Sequence, residues 1–157
     1  MKKIISLCCM LLTACGSVDD KQQVVTELPD TFDPRLHDLI MEYLADCQRH
    51  LTSTECNKNL QIKIRIQELE EENQLGLCYT YYPPYHLKRD ILISPKLLGT
   101  KQLKLVLYHE LTHCIFEMEH SDDKIDIMNS YSSEYKTNII YGEWDKYLEA
   151  MFSRTRQ

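Results

Sequence analysis

Apolar and polar residues alternate from residue 59 to residue 67 in the segment NLQIKIRIQEL. This period of two is typical of a strand with one buried face, because successive side chains point to opposite sides of a sheet. The apolar side consists of Leu60, Ile62, Ile64 and Ile66. The segments GLCYTYY and DILIS predict two further strands, separated by a turn at Pro83 and Pro84. The pattern therefore predicts a small sheet, mostly antiparallel or mixed.

Three other segments carry apolar residues at helical spacing. The first, FDPRLHDLIMEYLADCQRH, has Asp33 as its candidate N-cap and Pro34 at the first helical position. The second, GTKQLKLVLYHELTHCIFEM, has Thr100 as its candidate N-cap. The third runs from about Gly142 to Ser153. Together they predict an α+β fold in which the sheet packs on the first two helices.

The region between the first two predicted strands is acidic, and the second strand is rich in tyrosine. The run ELEEEN predicts a solvated loop. The tyrosines either pack against the sheet or line a substrate cleft. They are Tyr79, Tyr81, Tyr82 and Tyr85.

Length and charge narrow the class of protein. The chain has 157 residues, 43% of them hydrophobic, which is enough for one domain with its own core. Its formal net charge is −6. Nucleic-acid binding depends on clustered Lys and Arg, and no such cluster occurs in the body of the chain, so a nucleic-acid partner is not expected.

The N-terminus, MKKIISLCCMLLTAC, has the charged, apolar and small-residue order of a secretory signal peptide. Its apolar run is too short for a permanent membrane span. LTAC followed by Gly16 resembles a bacterial lipobox, which implies a signal peptide of residues 1–14 and a lipid anchor on Cys15. Glycine rather than aspartate at position 16 implies a location in the cell envelope at the outer membrane. Residues 15–31 then form a tether, and residues 32–157 form the domain.

Four cysteines follow the lipidated one: Cys47, Cys56, Cys78 and Cys114. An even number in an oxidising compartment predicts two disulfides. We favour a bond between Cys47 and Cys56, since they flank one short loop, and this leaves Cys78 to pair with Cys114. Buried free thiols are the alternative.

The second predicted helix contains the pattern H-E-x-x-H as His109, Glu110 and His113. Residues four apart lie on neighbouring turns of one helix face, so both imidazoles can reach one metal ion. Glu110 lies beside them, where a carboxylate can hold water as a general base without binding the ion. The pattern therefore predicts a catalytic zinc site.

A further histidine, His120, follows His113 after six residues. In a continuing helix it would lie about 10 Å along the axis from His113, too far for ligands bonded to zinc at about 2.0–2.1 Å. The helix must therefore end between them, although the six residues CIFEME contain no glycine to turn the chain. Either one of the six adopts an unfavourable backbone conformation, or the helix unwinds by another route.

The segment HELTHCIFEMEHSDDKIDIM resembles the zincin metallopeptidases and, among them, the metzincins and their matrixin branch. Their pattern is H-E-x-x-H-x-x-G-x-x-H followed by a turn containing a methionine. The chain also resembles bacterial proteins with H-E-L-G-H-C and a seven-residue step to the last histidine. The resemblance implies a zincin-like fold, zinc as the cofactor, and roles for particular residues. These are His109, His113 and His120 as ligands, Glu110 as general base and Met128 as the turn methionine.

The chain departs from the metzincin pattern in two places. Six residues rather than five separate the last two histidines, and the glycine is missing. Tyr131 lies three residues after Met128, whereas families with a tyrosine that stabilises the transition state place it two after. Carboxylates therefore remain open as the third ligand. They are Glu134 or Glu143, as in thermolysin-like zincins, and Asp122, Asp123 or Asp126.

Together these features predict a membrane-anchored, zinc-dependent endopeptidase that acts on a peptide or protein substrate. The alternative is a non-catalytic surface lipoprotein, an interaction module that keeps a zincin scaffold or a structural zinc site. The presence of Glu110 counts against the alternative, because a structural site fills all four positions with protein ligands and needs no base.

Overall fold

The structure is a computed structural model that describes residues 31–58, 60–81 and 88–155. These ranges contain five α-helices and three strands. The helices are α1 (His37–His50), α2 (Ser53–Cys56), α3 (Gln102–Phe116), α4 (Glu134–Gly142) and α5 (Trp144–Arg154). The strands are β1 (Ile62–Ile66), β2 (Gly76–Tyr81) and β3 (Lys88–Ile93). The predicted signal peptide, the lipidation site Cys15 and the Pro83–Pro84 turn lie outside the described residues.

The three strands form one mixed sheet in the order β1-β3-β2. Strand β3 is central, parallel to β1 and antiparallel to β2. The predicted alternation in β1 is confirmed, since Ile62 and Ile64 are buried while Lys63 is exposed. The α+β class and the small mixed sheet are therefore confirmed.

Helix α3 lies between the sheet and α1, and α5 packs on α1. Helix α3 is buried around most of its circumference, which explains why it carries apolar residues on more than one face. Its buried aliphatic side chains are Leu103, Leu105, Val106, Leu107, Leu111 and Ile115. From the other side, α1 contributes Ile40, Tyr43 and Leu44, and α5 contributes Leu148, Met151 and Phe152. The core thus fixes α3 in place on two sides.

Two helix starts differ in how well the sequence predicts them. Asp33 caps the predicted first helix, accepting a hydrogen bond from the Arg35 N–H at the 3₁₀ turn Pro34–Leu36 that leads into α1. Thr100 as the N-cap of α3 is wrong. Its Oγ1 donates to the Leu97 carbonyl at 2.8 Å, and the cap position is Lys101 without a side-chain hydrogen bond. The Thr100 hydroxyl thus stabilises the preceding turn instead of capping α3.

The third predicted helix is present as α5 but begins at Trp144, because Gly142 ends a separate helix, α4, that the pattern does not predict. The buried face of α4 consists of Lys136, Thr137 and Ile140. Two polar residues among three give no apolar periodicity. A short helix of this kind escapes a pattern-based prediction.

The tyrosines of β2 do not line a cleft. Tyr79 packs on the open face of the sheet, where its hydroxyl donates to Asp90 at 3.2 Å, and Tyr81 stacks beside it at a ring distance of 5.8 Å. Neither borders the cleft described below. The cleft interpretation is therefore wrong for these two, because the alternating residues Cys78 and Thr80 take the inner face. Tyr82 and Tyr85 lie outside the described residues.

Candidate metal centre

Helix α3 presents His109 and His113 on one face, with their Nε2 atoms 3.0 Å apart. The rotation of the helix is fixed by Tyr108, whose buried hydroxyl donates to Asp46 of α1 at 2.8 Å. Because this helix is packed on both sides, its two histidines need no further movement to approach each other.

The chain leaves α3 through a left-handed turn at Glu117, where φ is 56° and ψ is 28°. The Glu117 N–H still donates to the His113 carbonyl at 3.0 Å. A residue with a Cβ in this conformation costs about 1–2 kcal/mol, which glycine would avoid. Of the two routes open for CIFEME, an unfavourable backbone conformation at one residue or unwinding of the helix, the structure shows the first, at Glu117.

The turn brings His120 back to the helix. Its Nε2 atom lies 3.2 Å from that of His109, and the ligand atoms of His109, His113 and His120 all lie within 4.8 Å of one another. Nitrogens bound to one tetrahedral zinc ion at about 2.0–2.1 Å lie about 3.3 Å apart. The three side chains are therefore close enough together to hold one metal ion.

Backbone carbonyls fix which nitrogen faces the cluster. Nδ1 of His109 lies 2.8 Å from the Ile127 carbonyl, and Nδ1 of His113 is paired with the Met118 carbonyl. Since a carbonyl only accepts, each Nδ1 carries the proton and each Nε2 holds a lone pair. The Nε2 atoms of His109 and His113 lie 3.0 Å apart with no proton between them, so their lone pairs can both bind one cation. The donor set fits zinc.

Burial favours the neutral form of both helix histidines, which is the form that binds metals. Burial lowers the pKa of His109 to about 3, although the hydrogen bond to the Ile127 carbonyl opposes the shift. Burial also lowers the pKa of His113, again opposed by its bond to a carbonyl. Neither has to lose a proton before it can bind an ion at neutral pH.

None of the carboxylates that remained open as third ligands joins the cluster within the described part of the chain. Asp126 instead accepts from the Met128 N–H at 2.7 Å and pairs with Arg154 at 2.8 Å. Glu143 pairs with Lys146, and the Asp123 carboxylate accepts from the Ile125 N–H. Glu134 and Asp122 also lie outside the group. His120 is thus the third side chain that the fold brings to His109 and His113.

Glu110 is 6% exposed and borders the same cleft as the histidines. It accepts a hydrogen bond from the Cys78 backbone N–H, while burial, the larger effect, raises its pKa to about 7. Gly76 of β2 lies so close that an added Cβ would be 2.6 Å from Glu110 Oε1. Strand β2 therefore holds this carboxylate in a confined space, with a pKa suited to proton transfer at neutral pH.

The cleft has a volume of about 1070 Å³. Its lining includes the start of β2, the three histidines, Glu110 and several residues between Ile127 and Lys136. Tyr131 borders the cleft with 70% of its surface exposed. Met128 is fully buried, and its carbonyl accepts from the Ser121 N–H at 2.8 Å, directly after His120.

Lys136 is a cleft residue that the sequence did not reveal. It is 3% exposed, and its Nζ donates to the carbonyls of Asn129 at 3.0 Å and Tyr131 at 2.8 Å. Lys136 therefore ties down the backbone of the segment after Met128 through these two hydrogen bonds. A single lysine in a polar segment carries no pattern that distinguishes it from a solvated one, so its burial could not be predicted.

Both favoured cysteine pairs lie at bonding distance. Cys47 and Cys56 join α1 to α2 with an S–S distance of 2.06 Å, and Cys78 and Cys114 join β2 to α3 at 2.01 Å. The second bond lies one residue from His113. It attaches the strand that contacts Glu110 to the helix that carries His109 and His113.

Comparison with known proteins found no matching family model, no matching curated protein and no matching solved structure. Within residues 31–58, 60–81 and 88–155, no helix combines the length and the apolar composition that crossing a bilayer requires.

Proposed function

We propose that this chain is a zinc-dependent endopeptidase whose active site is the histidine cluster together with Glu110. One observation carries the proposal: three imidazole nitrogens come together in the lining of a cleft that a buried glutamate also borders. Three protein ligands leave one zinc position free for chemistry, whereas a structural site fills all four. The fold and ligand set of the zincins are part of this proposal.

Glu110 has the central role in the proposed reaction. Zinc, when bound, supplies Lewis-acid activation of water and of the substrate carbonyl group. Glu110 accepts a proton from the attacking water and returns it to the departing amine, and a pKa near neutrality suits both transfers. The close approach of Gly76 excludes solvent from one side of the carboxylate. A cleft of about 1070 Å³ accommodates a segment of peptide.

Two substitutions, at Glu110 and at Glu119, test the proposal. Glu110→Gln should keep zinc, because no ligand is lost, and should lower the cleavage of a quenched fluorescent peptide library by about 10²–10⁴-fold. Glu119→Gln is the matched control, since Glu119 is exposed between His113 and His120 and does not border the cleft. It should cleave as the parent does.

The outcomes separate the two candidate functions. Parent-like cleavage by Glu110→Gln would refute the role of Glu110. Zinc bound by the parent at one equivalent, without cleavage of any library member, would favour the non-catalytic lipoprotein. Absence of zinc from both the parent and the variants would refute the metal centre itself.

The envelope location is also a proposal, based on the lipobox-like LTAC before Gly16. Cys15→Ser should move the protein from the detergent phase to the aqueous phase in a partition assay, because the acyl chains are lost. Cys9→Ser, within the proposed signal peptide, is the control and should leave the partition unchanged. Equal partition of Cys15→Ser and parent would contradict a lipid anchor.

A further inference from the structure

The turn at Glu117 determines the position of two of the three histidines. Its N–H closes the last hydrogen bond of α3, to His113, and the next residue, Met118, supplies the carbonyl that pairs with His113 Nδ1. His120 follows three residues after the turn. The backbone conformation of Glu117 therefore sets the orientation of one imidazole and the location of another.

A buried arginine reaches this turn from the sheet. Arg89 lies on the central strand β3, opposite Ile62 of β1 and Thr80 of β2, and is 4% exposed. Its Nη2 donates to Oε1 of Glu117. Its Nε and Nη1 atoms are buried and have no hydrogen-bond partner among the described residues. The bond to Glu117 is thus the one its guanidinium makes in that part of the chain.

Packing of the sheet does not explain Arg89. A buried cation with unpaired donors costs stability, and an apolar side chain of similar volume is commonly as good or better at such a position. Glu117 gains little from the pair, since its side chain is 72% exposed and water can solvate the carboxylate. What the ion pair does is hold an exposed side chain whose backbone is in a conformation that a Cβ disfavours.

We propose that Arg89 is a positioning residue for the metal centre, which holds Glu117 in the left-handed turn that carries His120 and the Met118 carbonyl to the ion. A glycine at this position would adopt the turn without assistance. In this chain an ion pair from the sheet takes the place of that conformational freedom. The inference rests on the proposed zinc site where it is tested by zinc affinity. Where it is tested by amide exchange of the metal-free protein, it rests on the fold alone.

Three variants without the buried cation test the proposal. Arg89→Met keeps volume and removes the ion pair. The double variants Arg89→Met with Glu117→Gly, and Arg89→Met with Glu117→Ala, differ only in whether residue 117 carries a Cβ. Zinc affinity of the full chain is measured by competition with a chromophoric chelator. Arg65→Met is the matched control, because Arg65 forms an ion pair with Asp90 at 2.8 Å on the sheet, away from the turn.

Arg89→Met should weaken zinc binding by about 10–100-fold, the range found when groups that orient metal ligands are removed. The glycine double variant should return to within about threefold of the parent, whereas the alanine double variant should stay as weak as Arg89→Met. Arg65→Met should bind zinc as the parent does. Unchanged affinity in Arg89→Met, or equal affinities in the two double variants, would overturn the proposal.

Amide hydrogen exchange on the metal-free proteins gives the second readout. The Glu117 and Ser121 N–H groups donate to His113 and Met128 at 3.0 and 2.8 Å, so their exchange reports the turn and the returning segment. Both should exchange faster in Arg89→Met and regain protection with glycine at 117, while the amides of the β1–β3 ladder stay unchanged. The positioning role would be refuted if exchange became uniformly faster across the molecule. It would also be refuted if the Glu117 and Ser121 amides exchanged no faster than in the parent. Because this readout needs neither zinc nor peptide, failure of the proposed function leaves it decisive.

Discussion

The two halves of the histidine cluster are held in place by different forces. The helix half, with His109 and His113, lies on α3, which is packed between the sheet and α1 and bonded to β2 through Cys114. The return half, residues 117–131, contains no helix or strand. Its side chains are tied mainly by polar contacts, such as Asn129 Nδ2 to the Ser121 carbonyl at 3.0 Å.

This difference suggests that stability and ligand placement are separable in this fold. Apolar burial resists unfolding of the whole domain, whereas a segment held by a few hydrogen bonds opens locally at lower free energy. Within the return half, Ile127 and Met128 are the fully buried apolar side chains. Damage to the helix half should therefore appear in global unfolding, and damage to the return half in metal affinity and local exchange.

The largest effect is expected from the bond between Cys78 and Cys114. Replacing both by alanine should lower the free energy of unfolding by about 4 kcal/mol, because the bond closes a loop with a sequence separation of 36. The matched control replaces Cys47 and Cys56 by alanine. Their bond closes a loop with a sequence separation of 9, so the free energy of unfolding should fall by about 3 kcal/mol. Urea denaturation measures both. A larger loss in the control would contradict the role given to α3 and β2.

The helix half could be predicted because its signals are local. His109, Glu110 and His113 lie within one turn and a half of a helix, and the alternation of β1 is complete within five residues. Both patterns follow directly from the period of the backbone. The cysteine pairing was predictable to the same degree, since a short loop between Cys47 and Cys56 leaves one remaining pair.

The return half could be predicted only in outline. Geometry required a turn within CIFEME, but nothing in the segment singles out Glu117, whose side chain pairs with Arg89, 28 residues earlier in the chain. Likewise Lys136 is buried by carbonyls that the segment presents only after folding. Neither contact leaves a periodic trace in the sequence: Arg89 and Glu117 are 28 residues apart, and the carbonyls that Lys136 contacts lie in a segment without regular structure.

A second prediction concerns Gly76, where strand β2 approaches Glu110 of the helix half. Gly76→Ala places a Cβ 2.6 Å from Glu110 Oε1 and 2.7 Å from Val106 Cγ1, so the strand or the carboxylate must shift. We expect a loss of about 2 kcal/mol in unfolding free energy, with zinc affinity unchanged and peptide cleavage reduced. Gly142→Ala is the control, since its Cβ meets nothing within 4 Å. A tenfold loss of zinc affinity in Gly76→Ala would contradict the separation of the two halves.

A third prediction concerns the return half. Lys136→Met removes both donors from the carbonyls of Asn129 and Tyr131. The free energy of local opening should fall by about 1–2 kcal/mol, seen as faster amide exchange of Ser121 and about tenfold weaker zinc binding. Lys146→Met, which removes an exposed pair with Glu143, should change neither. Slower or unaltered Ser121 exchange in Lys136→Met would show that other contacts hold the segment.

The smallest expected effect is a pH dependence of the same segment. Burial lowers the pKa of Lys136 to about 8 from its ordinary value of 10.5, against the attraction of Asp126 and Asp123. Between these values the folded protein binds fewer protons than the unfolded chain, so stability rises with pH. From about pH 7 to 8.5 the opening free energy of the metal-free protein should rise by less than about 1 kcal/mol.

The sign of this change distinguishes Lys136 from an ordinary ion-paired lysine. A neutral amine keeps two N–H donors, enough for both carbonyls, so deprotonation removes the unfavourable buried charge without releasing the segment. Ser121 exchange, corrected for its intrinsic pH dependence, should therefore become slower relative to Lys136→Met as the pH rises. A segment held mainly by the charge of Lys136 would instead open more readily above pH 8.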